Sequence, residues 1–136
     1  MACYLRVYGD DLNVIELLEA HNIKPSKIWK KGLPRFKSAP SKLNSNSGFN
    51  VLISGAEWDE FEKQKLDALK YLEEHKSTLS SIAMYSGVDS GYLDFGIEWR
   101  DVTVQCDSFP PNLIKLVGQI GFGIELSQYT PDEEDD

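Results

Sequence analysis

Apolar and polar positions alternate in short bursts along this chain, and three stretches switch to helical spacing. Cys3, Leu5 and Val7 alternate with Tyr4, Arg6 and Tyr8, which predicts an opening strand over 3–8 with one buried face. Gly9-Asp10-Asp11 offers a turn and a helix N-cap, so a first helix is expected from near Asp11. Leu12, Val14, Ile15 and Leu18 carry its apolar face until His21-Asn22 and Pro25 stop the pattern. Residues 28–31 and 49–53 predict a second and a third strand, separated by a polar stretch over 33–47. A connection of that length is either mobile or functional.

Ser54-Gly55-Ala56-Glu57 has the spacing of a capping box, in which hydroxyl and carboxylate satisfy two orphan backbone N–H groups, and it predicts a long helix. Trp58, Phe61, Leu69, Leu72, Leu79 and Ile82 lie on or near one stripe of that helix, with Gly87 as its terminator. Its other face mixes Glu60, Lys63, Asp67, Lys70 and Glu74, the pattern of a solvated surface. Alternation returns over 93–99 and again at Val102, Val104 and Cys106, predicting two half-buried strands on either side of Arg100-Asp101. Pro110-Pro111 suits a helix's first turn, Leu113, Ile114, Leu116, Val117 and Ile120 supply an apolar face, and Gly121 closes it. Phe122, Ile124 and Leu126 alternate as a last strand.

The predicted order is β-α-β-β-α-β-β-α-β, an α+β fold of two layers in which an antiparallel or mixed sheet carries its helices on one face. One domain is expected over 1–131, followed by a disordered acidic tail over 132–136.

That order, together with Gly9-Asp10 after the first strand, Ile23-Lys24-Pro25-Ser26 and Trp29-Lys30-Lys31-Gly32, resembles the bacterial domain-of-unknown-function family 4279. Further matches are the aromatic that enters the third strand, the long helix, and Gly121 followed by Ile124-Glu125-Leu126-Ser127-Gln128-Tyr129. Phe49 stands where the family pattern has Trp, and Ser127 where it has Asp. The resemblance implies a small bacterial α+β domain and carries over no reaction and no catalytic residues.

The chain has 136 residues, 41% of them hydrophobic, enough to bury a core without metal or disulfide support. Its first eleven residues lack a basic leader or a long apolar run, and no stretch approaches the ~18 apolar residues of a membrane span. A soluble cytoplasmic protein that makes no membrane contact is expected. Cys3 and Cys106 each fall on an apolar strand face and read as buried free thiols. His21 and His75 belong to different helices and to no metal-spaced cluster, so neither a metal nor another cofactor is expected. Asp94 and Glu98 are the neatest same-face carboxylate pair, but four strand residues span about 13 Å, too far for paired glycosidase carboxylates. Gly121-Phe122-Gly123 follows a helix instead of opening one, which fails the dinucleotide-binding pattern.

Charge is more informative. Fourteen basic against twenty-two acidic residues give a net charge of −8, the wrong sign for a general nucleic-acid binder. The distribution is polarised: residues 24–42 hold seven basic residues and no acidic one, while residues 51–136 hold eighteen acids against six bases. Small size, acidity and the lack of a catalytic constellation predict a non-enzymatic binding protein, most specifically a bacterial immunity protein that occludes the site of a cationic toxin such as a nuclease. Glu57, Asp59, Asp94, Glu98 and Asp101 are its candidate partner-binding residues. The alternative is a module that binds a phosphate-bearing ligand or nucleic acid through Lys30, Lys31, Arg35 and Lys37, with Trp29 and Phe36 for stacking. An enzyme of unfamiliar type is a third reading, since fold class excludes little chemistry.

Overall fold

The chain's first strand, β1 (Cys3–Gly9), lies at the centre of a five-stranded sheet in the computed structural model, which describes residues 2–130. Its alternation is realised as expected: Cys3, Leu5 and Val7 are fully buried, while Tyr4, Arg6 and Tyr8 face the other way and are half-exposed. On one side β1 pairs antiparallel with β5 (Ser47–Ser54), and on the other with β6 (Ser90–Glu98). The short β2 (Lys27–Trp29) adds antiparallel to β5, and β7 (Gly123–Tyr129) adds parallel to β6, giving the order β2-β5-β1-β6-β7. The sheet is therefore mixed.

Three helices cover one face of this sheet. Helix α1 (Val14–His21) is capped by Asn13, whose Oδ1 accepts the Glu16 N–H, so the helix begins three residues after the expected Asp11. Helix α3 (Pro111–Ile120) starts on its proline and ends at Gly121, whose φ of 108° is a conformation a side chain would strain. Its buried stripe of Leu113, Val117 and Ile120 packs into the common core, each such side chain stabilising the fold by about 1.5–3 kcal/mol.

Helix α2 (Phe61–Ala83) corrects the capping-box expectation. Ser54 ends β5, its hydroxyl accepting the Ala56 N–H and donating to Asp67, and the chain runs non-helically to Glu60. Glu60 instead takes the Glu57 N–H at its carboxylate. The reason lies in Gln64, fully buried, whose amide nitrogen donates to the carbonyls of Ala56, Glu57 and Gly96. Carbonyls held in that way are unavailable to a helix starting at Ser54. The helix ends at Ala83, and Gly87 lies three residues beyond its C-cap, in the turn towards β6. His75 sits at a kink in α2 against the Tyr71 ring.

Two further expectations fail. Residues 102–106 form no strand: Val102 and Val104 are exposed and so is Cys106, because β7 already occupies the edge of β6 that this segment would need. Side chains tie the segment into a loop instead, Gln105 bonding the Arg100 N–H and the Glu98 carbonyl, and Asp107 pairing with Arg100. The polar stretch over 33–47, expected as a strand-free connection that is either mobile or functional, folds into a hairpin of β3 (Pro34–Phe36) and β4 (Ala39–Leu43) outside the main sheet. The acidic tail lies outside the described residues. No helix among the described residues is long and apolar enough to cross a membrane.

Candidate functional site

With the helices all on one side, the other face of the sheet carries the alternate residues of every strand, and the strand register sets them in rungs. One rung runs Trp29, Gly48, Tyr8, Ser90 across β2, β5, β1 and β6. The next, two residues along each strand and so about 7 Å away, runs Lys27, Asn50, Arg6, Tyr92. A third holds Leu52, Tyr4, Asp94 and Glu125. This helix-free face carries two aromatics, Trp29 and Tyr8, in its first rung and two cations, Lys27 and Arg6, in its second.

The β3–β4 hairpin turns this face into a cleft. Its root is fixed beside the end of β2: Gly32, at φ 82°, donates to the Asn44 carbonyl, and the Asn44 side-chain amide donates to the carbonyl of Lys30. Between hairpin and sheet lies a cavity of about 750 Å³, within the range of small-molecule sites. Its basic lining comes from Arg6, Lys27, Lys30 and Arg35, and its aromatic lining from Tyr8 and Trp29. Asn44, Asn46 and Asn50 add amides, while Leu33, Pro34 and Leu43 wall the hairpin side.

The four cations differ in kind. Arg6 is committed to its own face, pairing with Asp94 at 3.2 Å and Glu125 at 3.6 Å. Asp94 is nearly buried, and its second oxygen accepts the Ser127 hydroxyl at 2.7 Å. Lys27, Lys30 and Arg35 form no ion pair among the described residues, Arg35 resting over the ring of Phe36. Uncompensated cations around a partly enclosed cavity focus positive potential into it, although the whole chain is acidic.

Trp29 is held in place on two sides. Its Nε1 donates to Asn46 Oδ1 at 2.8 Å, and a Cβ at Gly48 would come within 2.5 Å of its Cζ2, so the ring occupies the slot left by the missing side chain. Asn50 Oδ1 is buried without a hydrogen-bond partner, a state that costs about 1–3 kcal/mol.

Of the residues expected to hold a phosphate, Lys30 and Arg35 line the cleft, whereas Lys31 and Lys37 do not; Lys37 falls in the turn of the hairpin. Lys27 belongs to the basic run over 24–42 without being singled out in it, and Arg6, Tyr8 and the three asparagines were missed. Their only signal was position: each strand member among them stands on the polar side of an alternating segment. Of the acidic candidates, Glu57 and Asp59 flank Trp58, whose carbonyl accepts the Glu98 N–H, and Asp101 lies three residues beyond Glu98 in the loop where β6 leaves the sheet. Asp94 stands apart from them, inside the sheet-face network.

Nucleophile chemistry finds little here. Burial, and then the carboxylates of Asp94 and Asp67, push the Cys3 thiol up from its ordinary 9.0, away from the reactive thiolate. Among the described residues no three His, Cys, Asp or Glu side chains converge as a metal site requires. A family model described as "Domain of unknown function (DUF4279)" matches residues 1–131. No curated protein and no solved structure matches the chain.

Proposed function

The chain belongs to the DUF4279 family, and from the cleft on its open sheet face we propose that it is a binding protein for a small phosphate-bearing ligand. The observation that carries this reading is the convergence of Lys27, Lys30 and Arg35 on one cavity with no acid pairing any of them among the described residues. Holding three like charges together is unfavourable until an anion joins them. A phosphate offers several acceptor oxygens at once, which suits one forked guanidinium flanked by two ammonium groups. Titration calorimetry with inorganic pyrophosphate tests the reading. Binding that weakens steeply with added salt, and that disappears in a Lys30→Ala/Arg35→Ala double variant, is expected. Absence of binding at low salt, or equal binding by the variant, would overturn it.

A second reading is supported by the acidic end, where the bond from the Glu98 N–H to the Trp58 carbonyl brings Glu98 beside the segment that carries Glu57 and Asp59, with Asp101 three residues further on. There the protein acts as an immunity protein, its carboxylates taking the place of phosphates in the cleft of a basic toxin. Capture from a bacterial lysate with salt-gradient elution checks it. A basic protein retained by the native chain and lost from a Glu57→Lys/Asp59→Lys variant is expected, and the same capture by both would sink this reading.

A further inference from the structure

We infer that the ligand of the cleft is a mononucleotide, its base lying on the Trp29 indole and its phosphate held by Lys27, Lys30 and Arg35; the inference rests on the phosphate-cleft reading above. A site for phosphate alone has no use for a fixed aromatic plane. Here the indole is bonded at its edge by Asn46 and lodged in the Gly48 slot, with Tyr8 in the same rung, so a stacking surface exists before any ligand arrives. A ring already immobilised loses little entropy when a base stacks on it.

The amides point the same way. An asparagine offers both donor and acceptor, the complement of a base edge that carries both. Asn46 and Asn44 are engaged in holding Trp29 and the hairpin root, whereas Asn50 lines the cavity one rung from Trp29, between Lys27 and Arg6, and a turn of its amide would bring its buried, unpartnered oxygen to the base edge. Base, amide and cation thus fall on neighbouring rungs, spaced as the parts of one small molecule.

A polymer is disfavoured by the third rung. Asp94 and Glu125 lie on the same open face, directly beyond the cleft, and a phosphodiester chain continuing across the sheet would meet the exposed Glu125 carboxylate. The cavity, about 750 Å³, also accommodates a single nucleotide without demanding more.

Calorimetry on the full chain with AMP, GMP, CMP, UMP, ribose 5-phosphate, adenosine and a single-stranded oligoadenylate separates the possibilities. At least one mononucleotide should bind more tightly than ribose 5-phosphate by ~5–150-fold, the range of one base stacked on an aromatic ring. In Trp29→Ala the mononucleotide should bind no more tightly than ribose 5-phosphate does to the same variant, while Trp29→Phe keeps part of the preference. If no mononucleotide exceeds ribose 5-phosphate, the nucleotide inference falls and the phosphate cleft stands. Tighter binding of the oligonucleotide than of any mononucleotide overturns the inference in favour of a nucleic-acid strand. If no phosphate compound binds, both readings fall together. The comparison among ligands on the native chain decides the matter even where a variant folds poorly.

Discussion

Arg6 and Asp94 hold each other across the β1–β6 pair, Nη2 donating to Oδ2 at 3.2 Å, while Ser127 donates to the other carboxylate oxygen at 2.7 Å. The carboxylate is nearly buried and the guanidinium about one-third exposed, so the pair is shielded from water on one side only. It fixes the direction of the one cleft cation that has acidic partners among the described residues.

Replacing Asp94 with Ala leaves the Ser127 hydroxyl and the Arg6 guanidinium each short of a partner. Urea denaturation should show a loss of about 1–3 kcal/mol, with Ser127→Ala losing less. A double-mutant cycle on Arg6 and Asp94 should give a favourable coupling; additive effects would mean that the pair is ornamental.

The cleft cations should separate from their neighbours. Lys30→Ala and Arg35→Ala are expected to weaken pyrophosphate binding by about tenfold or more each and to flatten its salt dependence, as loss of a charge-assisted contact worth ~1.5–3 kcal/mol implies. Lys31→Ala and Lys37→Ala, outside the lining, should leave the affinity nearly unchanged. Equal effects at all four positions would point to general charge attraction.

Gly48→Ala tests the seating of Trp29. The added Cβ meets both the indole and the Val7 carbonyl oxygen, and the latter belongs to backbone that cannot step aside. Thermal unfolding should report a loss of about 1–3 kcal/mol, with displaced indole fluorescence. A variant as stable as the parent would show that the ring is not lodged there.

These residues also mark what was legible beforehand. The ends of α3 were readable because Pro110-Pro111 and Gly121 satisfy or avoid helix-end hydrogen bonds through their own chemistry. The alternation of β1 was readable because one face is core. Val102, Val104 and Cys106 show the same alternation without a strand, since a pattern states which side would be buried and not whether an edge is free to pair. The β3–β4 hairpin escaped for the opposite reason: nearly all its residues are exposed, and no burial patterned them. The cleft was half visible. Lys30 and Arg35 stood out in a run of basic residues, but Arg6 and Asn50 join them only through strand pairing distant in sequence.

The two cysteines should behave differently from each other. Cys106 is exposed and is expected to react with a thiol reagent in the folded protein, whereas Cys3 should react only after denaturation. Mass spectrometry after labelling gives the count directly, and two labels on folded protein would contradict the burial of Cys3.

Alkaline pH should weaken the fold through Cys3. The fold holds the thiol's pKa above its ordinary 9.0, so the neutral form is favoured in the native state. Its contribution is complete below about pH 9 and is lost as pH rises and the unfolded chain ionises, at up to about 1.4 kcal/mol per pH unit. Urea midpoints measured from pH 8 to 10.5 should fall less steeply for Cys3→Ala than for the parent; parallel curves would place the alkaline sensitivity elsewhere.

The central position of β1 has a consequence for how the molecule is made. Leu5 is synthesised well before its neighbours Val51 and Leu93, and β1 is paired on both sides only once β6 has been made. The alternating apolar segment of β1 must therefore wait, unpaired and sticky, until those strands follow it. Contacts this far apart in sequence close slowly. A nascent chain of this kind is a natural client for a holding chaperone, and a pause before Glu98 would lengthen the interval in which it needs one.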